Sequence, residues 1–73
     1  MPKLPVVSGE VVIKALSKRG FIFRKGKGDH VIIQSKNRYR NIVIPLHKEL
    51  KPGTLRAIIK QSGLTVEEFV NLL

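Results

Sequence analysis

The chain contains no cysteine and no tryptophan, and its aromatic residues are three Phe and one Tyr. The absence of cysteine excludes disulfides and thiolate metal sites, and it is typical of a reducing compartment. No apolar run approaches the ~20 residues of a membrane span, and the N-terminal segment lacks the long apolar stretch of a secretory signal. We therefore expect a cytoplasmic protein with no membrane partner.

Acidic residues are also scarce, since five Asp and Glu stand against fourteen Lys and Arg, for a net charge of +9. Much of the excess lies in one stretch, where Asp29 is the only acidic residue among Lys18, Arg19, Arg24, Lys25, Lys27, Lys36, Arg38 and Arg40. A localised positive field favours nucleic acid as the partner over an anionic membrane. Because a metal-dependent nuclease needs several carboxylates together, we expect no metal and no cofactor.

The length of 73 residues allows one domain, 1–73, with a single small core. Apolar residues recur at helical spacing between Ser8, a suitable N-cap, and Gly20, a suitable terminator after Arg19. Pro52 suits the start of a second long helix that ends at Gly63. The segment Thr65-Val66-Glu67-Glu68 has the form of a capping box for a short third helix.

Three short segments between these helices predict β-strands: residues 21–24, 30–34 and 41–44, the last ended by Pro45. The short connections indicate an antiparallel meander with the second strand in the middle. The element order predicts an α+β fold, a two-layer α-β-β-β-α-α sandwich in which both long helices cover one face of a three-stranded antiparallel sheet. Double-stranded-RNA-binding domains have the same order, although shared topology is only an analogy.

His30 is the main candidate for chemistry, because it opens the middle strand directly after a Gly-rich basic turn. RNA cleavage needs proton transfer at the 2′-OH and the 5′-oxygen, and a histidine can serve either role beside cations. Adjacent strand residues point to opposite faces, so His30 shares a face with Ile32 and Gln34, and this face is expected to be at least partly open if the other one packs on the helices. Asp29 is accordingly interpreted as a turn residue rather than a partner of His30. From the residues alone, an ordinary surface histidine remains the more common alternative.

Basic side chains of the turns and of the second long helix are the predicted RNA contacts: Lys25, Lys27, Lys36, Arg38, Arg40, Arg56 and Lys60. Arg56 and Lys60 share a helix face, for which a merely solvated role is the alternative. His47 is interpreted as a structural loop residue near a helix start, with a second proton-transfer role as the alternative. We assign Phe21, Phe23 and Phe69 to the core and Tyr39 to the surface, so binding should depend on charge more than on base stacking.

Several motifs together resemble the HicA (YcfA-like) family. They are Gly26-Lys27-Gly28-Asp29-His30 before a strand, Val43-Ile44-Pro45, Glu49-Leu50-Lys51-Pro52-Gly53-Thr54-Leu55-Arg56, Gly63-Leu64-Thr65 and Glu68-Phe69. The resemblance implies a double-stranded-RNA-binding-like fold, an mRNA interferase toxin and a neutralising HicB-like antitoxin. It also implies that His30 is the functional histidine. Family members often have Ser before this histidine and a second histidine after it, where this chain has Asp29 and Val31.

The sequence and the resemblance together predict a metal-independent endoribonuclease toxin that acts on mRNA, with His30 as general acid or base. The main alternative is a non-catalytic RNA-binding module of the same fold, which needs the positive field but not the imidazole. A DNA-binding domain is less favoured, because no helix-turn-helix signal is present and neither long helix concentrates polar base-reading side chains.

Overall fold

A computed structural model describes residues 4–24, 26–35 and 41–73. Its elements are α1 (Gly9–Ser17), β1 (Ile22–Arg24), β2 (His30–Gln34), β3 (Asn41–Pro45), α2 (Pro52–Ser62) and α3 (Val66–Val70). The strands form one antiparallel sheet in the order β1-β2-β3. The predicted α+β class and element order are therefore confirmed, and the arrangement is like that of a double-stranded-RNA-binding domain.

The helix ends follow the local signals of the sequence. The Ser8 side chain accepts a hydrogen bond from the Val11 amide at 3.2 Å, and Gly63 ends α2 in the left-handed conformation with φ of 80°. Thr65 and Glu68 form the predicted reciprocal capping box. The Thr65 backbone amide donates to the Glu68 carboxylate and thereby lowers the pKa of that carboxyl below its usual value.

The core lies between the helices and one face of the sheet. Alternate residues of β2 and β3 are buried there together with the apolar stripes of α1, α2 and α3: Val12, Ala15, Leu16, Val31, Ile33, Ile42, Ile44, Leu50, Leu55, Ile58, Ile59 and Phe69. Among the residues that the structure describes, no polar or charged residue is buried. The prediction that both long helices cover the same sheet face is confirmed, and among the described residues no helix covers the other face.

The predicted core position of Phe23 is wrong. Its partner across the β1–β2 pair is Ile33, which places Phe23 on the helix-covered side of the sheet. However, β1 is a short edge strand, and Phe23 is 59% exposed in an open groove beside Ile13 and Lys14 of α1. Phe69 is fully buried as expected, and Phe21 packs partly buried against the core.

Smaller differences concern the ends of elements. Helix α1 ends at Ser17, two residues before the predicted end, and continues into a turn up to Gly20. Pro45 is the last residue of β3 rather than the residue after it, and it lies opposite His30. A proline is tolerated here because β3 is an edge strand, so the backbone nitrogen of Pro45 can face away from β2, where no strand requires an amide donor. No helix within the described residues has the length and apolar character to cross a membrane.

Candidate active site

His30 is the first residue of the central strand and lies on the face that the helices leave open. Its neighbour Val31 is buried against the helices, so strand alternation turns His30 and Ile32 to the opposite side. The backbone amide of His30 donates to the Lys27 carbonyl at 3.1 Å, which closes the turn before the strand. The imidazole is 52% exposed, so the predicted open position is confirmed.

The carboxylate of Asp29 reaches both histidines of the chain. Its Oδ1 lies 2.9 Å from His30 Nδ1, and its Oδ2 lies 3.7 Å from His47 Nε2. We call these three residues the His-Asp-His cluster. The interpretation that Asp29 would point away from His30 is therefore wrong, although its assignment to a turn is confirmed. Strand alternation does not apply to Asp29, because it precedes β2 and follows Gly28, whose backbone is left-handed with φ of 59°.

Backbone pairing explains why residues so distant in sequence meet. The His30–Pro45 pair is continued beyond the strand by a hydrogen bond in which the Leu46 amide donates to the Asp29 carbonyl. The next residue, His47, accepts a hydrogen bond through its carbonyl from the Gly9 amide at 3.0 Å. The expected placement of His47 in a loop near a helix start is thus confirmed.

The cluster is open to solvent rather than buried, since more than half of each of the three side chains is exposed. Exposed ion pairs contribute little to stability, typically about 0–1 kcal/mol. The cluster therefore contributes little to the free energy of unfolding. No group of three or more His, Cys, Asp or Glu side chains in the described parts of the chain is arranged to hold a metal ion.

An open cavity of about 390 Å³ adjoins His30 on the same sheet face. Ile32 and Val43, which pair across β2 and β3, form its apolar floor, and Gly26, Lys27 and His30 line the end near the turn. The site thus brings the exposed imidazole of His30 together with Lys27 and a largely apolar surface.

The predicted RNA contacts are only partly brought together. Lys27 lies beside His30 in the cavity, as the sequence suggested. Arg56 and Lys60 are exposed on α2, which packs on the opposite face of the sheet, so they do not line this cavity. The remaining predicted contacts lie outside the described residues: Lys25, Lys36, Arg38 and Arg40. The exposed ring expected at Tyr39 lies outside them too.

Other basic residues of the charged stretch have structural partners that sequence reasoning missed. The Lys18 ammonium donates to the Leu72 carbonyl at 2.8 Å, and Arg19 lies 3.4 Å from the Glu68 carboxylate. Both contacts tie the end of α1 to the C-terminal segment. Arg24 donates to the side-chain oxygen of Gln34 across the β1–β2 pair at 3.3 Å. These cations are therefore less available to a polyanion than their sequence clustering suggests.

The fold and the exposed histidine define a small, basic α+β protein of the double-stranded-RNA-binding-like class, with a candidate active site on its open sheet face. The sequence model of the family described as the HicA toxin of bacterial toxin-antitoxin matches residues 9–64, which is more than half of the chain. The chain therefore belongs to the HicA toxin family and is the toxin of a toxin–antitoxin pair, so an antitoxin is its partner. No curated protein matches the chain.

Proposed function

We propose that this toxin is an endoribonuclease, an mRNA interferase that cleaves RNA with His30 as general acid or base and without a metal ion. One observation carries the proposal: the exposed His30 imidazole shares a cavity with Lys27 on the open face of the sheet. An imidazole and a cation are the groups that transesterification of RNA requires. Membership in a toxin family supports it further, because destroying mRNA would arrest growth.

The chemistry proceeds by attack of the ribose 2′-oxygen on the adjacent phosphorus. A base removes the 2′-OH proton, the P–O5′ bond breaks, and the 5′-oxygen gains a proton. The products carry a 2′,3′-cyclic phosphate and a 5′-OH. His30 makes one of the two proton transfers, as base at the 2′-OH or as acid at the 5′-oxygen, and solvent water makes the other. Lys27 stabilises the charge that develops on the phosphorane. With water as the second proton carrier, this chemistry does not require a metal ion.

The surrounding charge supports RNA as the substrate. A net charge of +9 on 73 residues attracts the phosphate backbone without reading sequence. We assign further phosphate contacts to the remaining predicted cations: Lys25, Lys36, Arg38, Arg40, Arg56 and Lys60. Such a surface also suits an acidic antitoxin of the HicB kind, which would neutralise the toxin by covering His30. We place this function in the cytoplasm, where mRNA is the available target.

The test is His30→Ala, assayed for RNA affinity by titration and for cleavage with a labelled transcript. Cleavage should fall by about a hundred- to ten-thousandfold, the usual value of general acid–base catalysis. RNA affinity should persist, because all of the Lys and Arg side chains remain. The fold should persist too, since exposed positions usually change stability by no more than about 0.5 kcal/mol.

His47→Ala serves as the histidine-for-alanine control, and it should reduce cleavage much less. If His30→Ala cuts RNA as fast as the parent, the catalytic role of His30 is wrong. If the parent protein binds RNA but cuts none, the chain is instead a non-catalytic RNA-binding module.

A further inference from the structure

We propose that Asp29 is a positioning residue: its carboxylate accepts a hydrogen bond from Nδ1–H of His30, so that the neutral imidazole presents Nε2 as the free base. The inference rests on the proposed nuclease function for its catalytic consequence, but the contact itself is a property of the free protein. RNA cleavage by an imidazole and a cation does not by itself require a carboxylate.

The two side chains are close enough to interact directly. Asp29 Oδ1 lies 2.9 Å from His30 Nδ1, within the donor–acceptor distance of an N–H···O hydrogen bond. A neutral imidazole has one donor nitrogen and one acceptor nitrogen, whereas an ionised carboxylate only accepts. A carboxylate at this distance favours the proton on Nδ1, which leaves the lone pair of the neutral ring at Nε2.

Backbone hydrogen bonds fix the main chain of Asp29. Its carbonyl accepts from the Leu46 amide, and the amide of the next residue, His30, donates to the Lys27 carbonyl. The backbone of Asp29 is thus held between the turn before β2 and the chain after β3, which keeps its carboxylate within reach of the His30 ring. A ring that contacts such a group through one nitrogen keeps a defined orientation, which lowers the cost of reaching the reactive geometry.

The choice of partners also favours a role for Asp29 at His30. The chain is strongly basic, yet within its described parts the ion-pair contacts of Asp29 are to the two histidines. His30 is the nearer, at 2.9 Å against 3.7 Å for His47, so the stronger effect is expected on His30. A carboxylate beside an RNA path also repels phosphate, so Asp29 should weaken RNA binding rather than assist it.

The negative charge of Asp29 and its contact with His30 predict opposite effects of Asp29→Ala on RNA binding and on the chemical step. Asp29→Ala removes a negative charge beside the RNA, so RNA affinity should stay equal or rise. The same change frees His30 to rotate and to exchange its tautomer, so kcat should fall by roughly 10- to 100-fold, by analogy with carboxylates that orient metal-bound histidines. A merely structural role for Asp29 would not produce this division between affinity and kcat.

The decisive measurement is nitrogen NMR of the free protein labelled with 15N-histidine, recorded at alkaline pH where the rings are neutral. His30→Ala and His47→Ala assign the two rings. In the parent, His30 should be protonated at Nδ1; in Asp29→Ala it should shift towards protonation at Nε2, the form that an unconstrained imidazole prefers. Glu49→Ala is the matched control, because it removes one exposed carboxylate from the loop before α2 and should leave both the tautomer and kcat unchanged.

The outcomes separate the two proposals. An unchanged His30 tautomer in Asp29→Ala overturns the positioning role even if the parent cuts RNA. A parental kcat in Asp29→Ala overturns it as well. If the tautomer shifts but the parent cuts no RNA, the contact is supported and the nuclease proposal is the one that fails.

Discussion

Gly26 offers a sharp test of how the fold positions His30, because its Cα faces the start of β2 at very short range. A Cβ added at Gly26 would lie 2.6 Å from the His30 carbonyl carbon and 2.8 Å from Val31 Cα, and nearer still to the His30 carbonyl oxygen. Non-bonded carbon atoms normally sit about 3.5–4.0 Å apart. All three neighbours belong to the backbone, so Gly26→Ala should displace His30 by about 1 Å.

A displacement of this size can cost about a hundredfold in rate, so cleavage by Gly26→Ala should fall by about that factor. Overpacking should also lower the free energy of unfolding by about 1–3 kcal/mol, measured by urea titration. Gly53→Ala is the control, because nothing lies within 4 Å of its added Cβ and alanine favours a helix. A folded Gly26→Ala protein with the parental cleavage rate would refute the idea that this close approach positions the imidazole.

Three further predictions concern solution conditions. Raising salt from about 50 to about 200 mM should weaken RNA binding about a thousandfold if six cations contact phosphates, and a salt-independent affinity would contradict phosphate recognition. Cleavage should persist in EDTA, whereas a complete loss that magnesium restores would place a metal in the site. The lowered pKa of Glu68 means that its stabilising contribution is present above the unfolded value of about 4.5 and lost as pH falls through the folded pKa. The urea midpoints of the parent and Glu68→Gln should therefore converge in acid.

Most of the fold could be predicted because its signals are local. Ser8 and Thr65 cap helices with their own side chains, and Gly63 takes the left-handed conformation that stops a helix. Alternation along β2 likewise separated its buried face from its open face. Phe23 was misassigned because burial at an edge depends on how far the covering helix extends, and side-chain hydrophobicity does not report that distance.

Prediction of the site succeeded for His30 and failed for its partner. Alternation is a rule for extended chain, so it placed His30 correctly on the open face and gave the wrong direction for Asp29, which lies in a turn. The contact with His47 depends on the register between β2 and β3. Their connection is long enough to permit several registers, so the loop does not specify the pairing. Once His30 is known to face Pro45, however, the proximity of Asp29 to the segment 46–47 follows directly.

Two glycines restrict the geometry of this site as much as the reacting side chains do. Gly9 approaches the other side of the cluster, where an added Cβ would lie 3.0 Å from the Pro45 carbonyl carbon and 3.1 Å from Leu46 Cα. Gly26 lies closer still to the backbone of His30 and Val31. The start of β2 and the chain after β3 therefore each lie against the backbone of a glycine, where no side chain could move aside. An exposed imidazole on a mobile backbone would sample many positions. These two close approaches restrict the movement of the backbone that carries His30 and its neighbours.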